Sequence, residues 1–571
     1  MLKLLNAKVS YSHWRQRANG VDHAHKNNWR VVGLAMESTL PLTSRPEAGE
    51  RPWAPLQYEM FRWLWIASLV SHVGTWMQNV GAGWLMTILH SSPLYVSLIT
   101  TATSLPVFLL GVPAGAAADI VDRRRLLIFT QGFMLAAAGM LAFFTAAGRA
   151  TPFVLLLTTF ALGIGSTLND PAWQAIVPEL VPRHELANAV SLNSVAFNLA
   201  RAAGPALGGF LIAAFSPAAV FFLNALSFVG VIFVIWRWKR PKAAQSAAAS
   251  ERIVQAAWAG LRYVRYSPGM SNVLVRVGAF IIGGSAIWSI LPIVTEQELH
   301  GTATGYGVLL GCIGSGAVLG AFLLAKFRQR FSPDQIVIAS GILWGLATLS
   351  LGFVKSFPLA SLAMFAGGVA WVSETSSFNV AAQTVLPAWV RARALSVYLL
   401  VFQGGMAISS VIWGSLAEHY GIRTSFIVAG VVLLLTPFLA KHFPLREGEE
   451  REITISAHWP EPVFKTPPDP ERGPVLVQVE YLVSPQDSPI FTQAIQELGR
   501  IRRRDGAIRW GIFEDAAVPG RFIESFLVEN WAEYLRQHER MTLADSEIEI
   551  EIQRFHRGQD PPRIGHLLAA V

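Results

Sequence analysis

The chain has 571 residues, of which 52% are hydrophobic and only 15% are charged. Soluble domains carry about 25% charged residues, so the composition excludes an ordinary soluble protein and indicates an integral membrane protein. The formal net charge of +8 does not indicate nucleic-acid binding, because the basic residues lie mostly in short segments beside apolar runs.

Residues 1–58 are polar and lack helical periodicity, so we expect an irregular N-terminal segment. Met36 begins a stretch that looks like a more natural start of translation. We therefore expect residues 1–35 to be an upstream extension that is not native.

Twelve apolar runs follow, and runs of this length cross a hydrocarbon core of about 30 Å as helices. They cover residues 61–89, 94–118, 126–147, 151–169, 188–215, 217–236, 272–294, 305–325, 336–354, 358–378, 394–417 and 424–442. The pattern predicts an all-α membrane protein with twelve transmembrane helices in two six-helix bundles, at residues 59–240 and 271–445. Tyr95, Leu98 and Ser104 match Tyr306, Leu309 and Ser315 at one fixed offset, which supports two related bundles.

Clusters of Lys and Arg follow the even-numbered runs. They include Arg123–Arg125, Arg183, Arg237, Lys326–Arg330 and Arg391–Arg393. The segments after the odd-numbered runs are short and poor in Lys and Arg. Since cytoplasmic loops of membrane proteins are enriched in these residues, the even-numbered connections and both termini are predicted to be cytoplasmic.

Residues 241–270 form the longest connection between runs, and we predict a cytoplasmic linker there. Apolar residues from Ile253 to Val264 recur at helical spacing, which predicts an amphipathic helix over Glu251–Tyr266. This helix either lies at the membrane interface or is a solvated part of the linker.

The composition changes again after residue 445. Residues 446–472 are charged and rich in proline, as linkers are, and residues 473–571 have the pattern of a soluble domain. Strands are predicted at 475–483, 508–514 and 521–529, and helices at 489–503, 530–540 and 544–556, although Glu547–Ile552 alternates as a strand would. The order β-α-β-β-α predicts a small cytoplasmic ferredoxin-like α+β domain.

The segment between runs 2 and 3 resembles a known family signature. Gly115-Ala-Ala-Ala-Asp119, followed by Arg123 and Arg124, is similar to the loop 2–3 signature of the major facilitator superfamily, Gly-x-x-x-Asp-Arg-x-Gly-Arg-Arg. At position 120 the chain has Ile where a basic residue is usual, and at position 122 it has Asp where glycine is usual. The first departure removes one basic residue of the charge-relay clamp that the resemblance implies.

Further segments resemble one branch of this superfamily, the branch that contains the enterobactin-type siderophore exporters. They are Gly74–Asn79 in run 1, Pro171–Pro182 after run 4, Asn198–Gly209 in run 5 and Trp413–Ala417 in run 11. The resemblance covers residues 58–443. It implies secondary active export by alternating access, driven by proton antiport, of a siderophore, drug or metabolite in the bacterial inner membrane. We expect no enzyme activity, no cofactor and no metal site.

The loop 2–3 signature supplies candidate gating residues. Gly115 allows the end of run 2 to approach another helix closely. Asp119, with Arg123 and Arg124, either clamps a gate in one conformation or only sets the topology and caps the loop.

Run 5 supplies a second set of conformational candidates. Gly204-Pro205 and Gly208-Gly209 weaken a helix and resemble the antiporter motif of exporters. They either permit bending at a rocking interface or serve static packing. Arg201, in the same run, either faces the bundle interior or reaches the cytoplasmic surface.

Two ionisable residues within runs are candidates for proton coupling, because a charge stranded in lipid is costly and is retained for a function. His72 ordinarily titrates near neutral pH, which suits proton coupling, although a structural histidine is the commoner case. Glu374 either carries a proton, pairs with an arginine or is solvated at the interface.

The resemblance implies that runs 1, 4, 7 and 10 line a central cavity. This nominates Trp76, Gln78, Asn79, Asn169, Trp288 and Glu374 as lining residues. Aromatic and amide side chains suit a bulky amphipathic solute, and no row of acidic residues specifies a cation.

The C-terminal domain resembles the dimeric α+β barrel domains, some of which are small monooxygenases. We expect a regulatory or dimerising role. The alternative is a membrane-tethered enzyme, with Trp531, His538 and His556 as candidates, but such residues in an amphipathic helix are usually core or surface residues.

Overall fold

The computed structural model describes residues 52–238, 253–445, 454, 456 and 468–570. The predictions for residues 1–35, for 239–252 and for nearly all of the 446–472 linker lie outside these ranges. The helices and strands belong to one compact unit, Pro55–Val571.

A helix forms over each of the twelve predicted runs. The first six are α1 (Glu59–Leu89), α2 (Pro93–Ile120), α3 (Arg123–Ala146), α4 (Pro152–Leu180), α5 (Leu186–Ala214) and α6 (Pro217–Arg237). Helix α7 (Ile253–Tyr266) lies within the predicted central linker. It is followed by α8 (Pro268–Gln297), α9 (Ala303–Phe327), α10 (Pro333–Leu351), α11 (Phe357–Thr384), α12 (Arg391–Tyr420) and α13 (Ile422–Leu435). We call α1–α6 the N-half and α8–α13 the C-half.

Eleven helices among the described residues are long and apolar enough to cross a membrane. Helix α1 is not one of them, since Ser, His, Gln, Asn and several Trp residues lower its hydropathy. The prediction of twelve spans therefore has support for eleven, and a span at α1 stays a prediction.

Helix α4 is longer than its predicted run, which ended at residue 169 before Asp170-Pro171. A proline inside a helix removes one backbone donor, yet α4 continues through Pro171 and Pro178 to Leu180. Membrane helices tolerate such prolines because neighbouring groups satisfy the freed carbonyls. Close to the second proline, the carbonyl of Ala175 accepts a further hydrogen bond from Arg123 at 3.1 Å.

The two halves pack so that their basic loops share one end of the molecule. Helices α2 and α12 are antiparallel neighbours, because Thr101 bonds to the carbonyl of Ala407 while Ser97, nearer the start of α2, meets Gly414. The C-terminal end of α2 therefore lies beside the N-terminal end of α12. We call this the basic end, since it holds Arg123–Arg125 and Arg391–Arg393.

The C-terminal region contains a four-stranded antiparallel sheet of order β2-β3-β1-β4. Its strands are β1 (Val475–Leu482), β2 (Arg509–Glu514), β3 (Arg521–Val528) and β4 (Arg563–Leu568), and its helices are α14 (Ser488–Asp505), α15 (Trp531–Arg540) and α16 (Leu543–Gln553). The alternating segment Glu547–Ile552 is helical. Strand β4 was not predicted, because it is short and irregular in pattern and is defined by pairing with the distant β1.

Helix α7 lies between the C-half and the C-terminal domain. On one side, Tyr263 contacts Trp389 with ring centroids 5.7 Å apart, and Ser271 of α8 bonds to the carbonyl of Val264 at 2.8 Å. On the other side, Arg262 pairs with Glu533 of α15 at 3.2 Å. The helix is therefore packed on both sides and is not merely a solvated part of the linker, while its position at the membrane interface stays a prediction.

Glu533 is the centre of this docking contact. It also accepts bonds from Arg540 at 2.6 Å and Arg536 at 2.9 Å. Burial raises the pKa of Glu533, but the hydrogen bond and charge of Arg540, with those of Arg536 and Arg262, lower it overall from its usual value of 4.5. The stabilisation from this carboxylate is thus complete above pH 4.5 and is lost as the pH falls through the lowered pKa.

We predict that Arg262→Ala loosens the C-terminal domain from α7 without unfolding it, because Glu533 keeps its partners within α15. Losing a charged hydrogen bond of this kind costs about 2 kcal/mol, so amide exchange in α7 should quicken about tenfold or more when followed by mass spectrometry. As the pH falls through the lowered pKa of Glu533, the intact chain should lose the same protection in α7, once exchange is corrected for its general slowing at low pH.

The matched control is Arg521→Ala on β3, which removes partly exposed ion pairs with Glu480 and Asp515, away from α7 in sequence and sheet. Exposed pairs contribute little, so exchange in α7 should not change. Equal exchange in the Arg262→Ala protein and the unaltered protein would contradict the docking role.

Candidate functional site

Helices α5 and α9 join the halves through glycine. A Cβ on Gly209 would lie 2.5 Å from the carbonyl oxygen of Ala303, and one on Gly307 would lie 2.6 Å from that of Pro205. These are backbone atoms that cannot move aside cheaply. Two turns away, a Cβ on Gly314 would meet Ala202 at 2.8 Å. The two backbones therefore touch only because side chains are absent.

The other run 5 glycines pack within the N-half. A Cβ on Gly204 would lie 2.6 Å from Trp76, and one on Gly208 would lie 2.9 Å from the Cα of Met77. The predicted antiporter-like segment thus contacts α1 on one face and α9 on another. Both contacts are tight packing, and bending at this segment stays a prediction.

Helices α2 and α12 make the second junction between the halves, and it is confined to the end away from the basic loops. Ser92 bonds to the Glu418 carboxylate at 2.5 Å, and Phe108 packs against Gly404. Nearer the basic end, a Cβ on Gly111 or Gly115 would have no atom within 4 Å. The halves therefore separate toward the basic end.

An aromatic and cationic cluster lies where the separation begins. The Arg201 guanidinium of α5 is 6.0 Å from the ring of Trp76 on α1 and 5.9 Å from the ring of Trp288 on α8. Trp371 is 5.2 Å from Trp288. Phe197 extends the cluster toward Trp76 at 6.3 Å. Of the two predicted alternatives, Arg201 takes the interior position.

His72 borders this cluster, with its ring 5.6 Å from that of Phe197. Asn79 is half-buried on the same helix. The structure thus brings His72, Trp76 and Trp288 together with Arg201. Trp371 and Phe197 were not among the predicted site residues, since an aromatic residue in an apolar run gives no signal of its own.

Two predicted cavity residues lie within the N-half. Gln78 accepts a hydrogen bond from Asn224 of α6 at 2.8 Å. Asn169 accepts bonds from Thr130 and Gln131 of α3, both at 3.1 Å. Both side chains are buried, and their oxygens bind helices of their own half.

Glu374 lies inside the C-half, with only 1% of its surface exposed. Its carboxylate packs against α10, where a Cβ on Gly341 would lie 3.4 Å from it, and Oε2 has no hydrogen-bond partner among the described residues. Arg276 is near enough to interact with its charge but is itself paired with Asp334 at 2.9 Å. The position is interior, so interfacial solvation is not supported.

The arginines of the loop 2–3 signature bind the ends of N-half helices. Arg123 pairs with Glu179 of α4 at 2.8 Å, and Arg124 donates to the carbonyls of Ile235 and Trp236 at the end of α6. Asp122, where the family signature has glycine, caps α3. The side chain of Asp119 lies outside the described part of the structure.

Asp170 is an interior carboxylate that the sequence analysis missed. Ser166, Asp170 and Gln174 recur every four residues along α4, and all three are exposed, while Asn169 and Ala172 are buried. A polar stripe of this kind on a membrane helix faces a water-filled interior and avoids lipid. The predicted run ends at Asn169, well before the end of α4 at Leu180, so Asp170 lies just outside it.

Known proteins with similar sequences and structures are membrane transporters. The transmembrane secretion effector family matches residues 50–571. The chain belongs to this family of major facilitator superfamily transporters. The match includes the C-terminal domain, which the resemblance over residues 58–443 did not cover.

Relatives of this transporter include the staphyloferrin A transporter of Staphylococcus aureus, 22% identical, with 65% of this chain and 93% of the relative aligned. The multidrug efflux pump Tap of Mycolicibacterium fortuitum is 25% identical over 67% of this chain and 95% of its own. Macrolide efflux protein A of Streptococcus pyogenes is 19% identical over 66% and 93%. These relatives are transporters, as the chain was predicted to be, and their names give no support to an enzyme.

Solved structures share the fold. A bacterial homologue of the human lysosomal transporter Spinster has a TM-score of 0.55 at 15% identity, covering 69% of this chain and 98% of its own. The nucleoside transporter NupG has a TM-score of 0.54 at 12% identity, covering 68% and 100%.

We predict that Gly307→Ala separates the halves at the end away from the basic loops, because its Cβ would meet the Pro205 carbonyl at 2.6 Å. In a Cys312→Ser background, cysteines introduced as Ser92→Cys and Glu418→Cys should crosslink readily. Adding Gly307→Ala should lower that yield about threefold or more, since interiors yield little to overpacking.

Gly311→Ala is the matched control one turn further along α9, where the new Cβ would meet Ala206 at an ordinary 3.6 Å. It should leave crosslinking unchanged. The same yield in both variants would show that this glycine contact does not hold the halves together.

Proposed function

We propose that this transporter is a proton-coupled exporter of a small amphipathic solute that works by alternating access. The observation that carries the proposal is the asymmetric contact of the halves, which meet along α5–α9 and α2–α12 and part toward the basic end. The aromatic and cationic cluster lies at the point of parting, and the separation toward the basic end would give a solute access to it from that side. Rocking about that point would expose it to the other side.

The proposed orientation places the basic end in the cytoplasm of a bacterium, in the inner membrane, with twelve spans including α1 and both termini cytoplasmic. The solute is proposed to be a siderophore, a drug or a metabolite. Relatives named for staphyloferrin A, multidrug and macrolide transport support the first two, and the proposed branch is that of the enterobactin-type exporters.

The proposed inner gate is the basic end of α2. The open space at Gly115 is where α12 would approach when the cytoplasmic side closes. Asp119 is proposed to take part in this closure, while Arg123 and Arg124 hold the loop to α4 and α6. The alternative role of the arginines, setting topology, is compatible with the same contacts.

The proposed proton carrier is Asp170, with His72 as a second candidate. A carrier must meet water from each side in turn, and Asp170 is exposed on the polar stripe of α4. Glu374 was the other candidate from sequence. Its enclosed position between α10 and α11 suits a structural carboxylate near Arg276 better than a carrier.

The C-terminal domain is proposed to be a ferredoxin-like regulatory domain that also dimerises. The sheet order and the α7 contact support this, and Leu482, Phe513 and Leu567 are exposed on the sheet face away from the helices. An enzymatic role gains no support. The cavity beside His538 measures about 10 Å³, and Arg502, which lines it, pairs with Glu549 at 2.9 Å.

The test of export uses everted membrane vesicles with an imposed proton gradient and a panel containing a macrolide and a siderophore. At least one solute should accumulate in the vesicles while protons leave them. A protonophore should stop this accumulation. Asp170→Asn should abolish gradient-driven accumulation while leaving solute exchange, because a carboxamide binds no proton near neutral pH. Ser166→Ala, one turn away on the stripe, should leave both intact.

Accumulation that survives complete collapse of the gradient would argue for a uniporter. Unaltered coupling in the Asp170→Asn protein would move the proton site to another group, with His72 next to be tested.

We predict that Gly115→Leu blocks the cycle without harming this state, because its side chain has open space here but would meet α12 on closure. Transport should fall about tenfold or more, while the thermal unfolding midpoint stays within about 2 °C.

Gly230→Leu is the matched control, at an exposed glycine of α6 that also has no atom within 4 Å of a built Cβ. Its transport should match the unaltered protein. If both variants transport normally, α2 does not close against α12 at this position.

A further inference from the structure

The central cluster contains two buried N–H donors that have no acceptor. Nε of Arg201 and Nε1 of Trp288 are both buried and have no hydrogen-bond partner among the described residues. Arg201 belongs to the N-half and Trp288 to the C-half, and the guanidinium carbon is 5.9 Å from the Trp288 ring. Donors from both halves therefore meet at one place.

The acidic groups of the interior do not neutralise Arg201. Glu374 packs against Gly341 inside the C-half, and Asp170 bonds to Asn169 on α4. Within the described ranges, Arg201 forms no ion pair. Its neighbours are the faces of Trp76 and Trp288, which attract a cation but accept no conventional hydrogen bond from it.

A buried guanidinium is costly unless its charge is paired and its N–H groups are bonded. Arg201 is half-buried, and contact with two indole rings offsets part of that cost but leaves the hydrogen bond of the buried Nε unmade. A carboxylate matches the planar donor fork of arginine with two parallel bonds. The unpaired charge and donors therefore call for an acidic group from outside the chain.

We propose that Arg201 binds a carboxylate of the transported solute, and that Trp288 Nε1 donates to the same group. The solute is then an organic acid with an apolar part that packs on Trp371 and Phe197, not a cation or a neutral molecule. This rests on the proposed export function and adds its substrate class. Because the acid bridges the two halves, it ties them together at the point where they part.

The test measures binding to the purified full-length protein, so that it is independent of transport. Thermal unfolding is followed with a thiol-reactive dye at Cys312, the single cysteine of the chain. The probes are acids and their amides of the same shape: salicylate with salicylamide, and indole-3-acetate with indole-3-acetamide. Affinity is obtained from the rise of the midpoint with probe concentration.

At least one acid should bind about tenfold more tightly than its amide, as a charge-assisted bidentate pair requires. Arg201→Gln should abolish this preference, and Arg201→Lys should retain only part of it. Trp288→Phe keeps an aromatic ring at this position but loses the indole N–H, so the preference for the acid should fall about threefold. Arg423→Gln removes a guanidinium 4.9 Å from Phe353 outside the cluster and should leave the preference intact.

Two results would overturn the proposal. One is that no acid binds more tightly than its amide. The other is that the preference survives Arg201→Gln, which would leave Arg201 as a latch between indole rings. Either result is compatible with gradient-driven export in vesicles, so it would refute the acid site and not the exporter. Conversely, acid binding that requires Arg201 without any export would leave this site standing and refute the exporter.

Discussion

The contact between Gly209 and Gly307 is the constraint on which the arrangement of the halves depends. In a bilayer, helices gain little from hydrophobic burial against one another, so close packing of small residues and polar contacts must hold them. Glycine supplies that packing along α5 and α9, and the Ser92–Glu418 hydrogen bond adds a polar contact between α2 and α12. Both junctions lie away from the basic end. The halves separate at the basic end because the glycine and serine residues that hold them together lie toward the opposite end.

Interior polar groups divide into two classes with different consequences. Gln78 and Asn169 are bonded to other helices of the N-half, which ties these helices into one body. Arg201 and Trp288 lie between the halves with donors unused. A solute that accepts hydrogen bonds from both donors binds more tightly to the conformation that brings them together. Its binding therefore shifts the equilibrium between the conformations of a rocking transporter.

Much of the fold could be predicted because helix length and loop charge are local properties. All twelve helical runs, three of four strands and the helices of the C-terminal domain were recovered from such patterns. Side-chain direction could not be. Trp76 and Gln78 are two residues apart on α1, so they point to opposite faces. The sequence does not show which face lines the cavity, because polar residues occur both in cavities and in contacts between helices of one half. Asp170 was missed for a related reason, since Pro171 predicts the end of a helix that in fact continues through it to Leu180.

The docking role of α7 could not be predicted from the sequence, because its contact partners are distant along the chain. Arg262 and Glu533 are separated by 271 positions, and nothing near either residue marks the pair. The structure shows that α7 contacts Trp389 and Arg393 at the start of α12 as well as the C-terminal domain. Helix α12 carries one of the two junctions between the halves. A domain fixed to its basic end would add its own docking energy to any movement of that helix, so the proposed regulation needs no contact with the solute. It needs only that docking be stronger in one position of α12 than in the other.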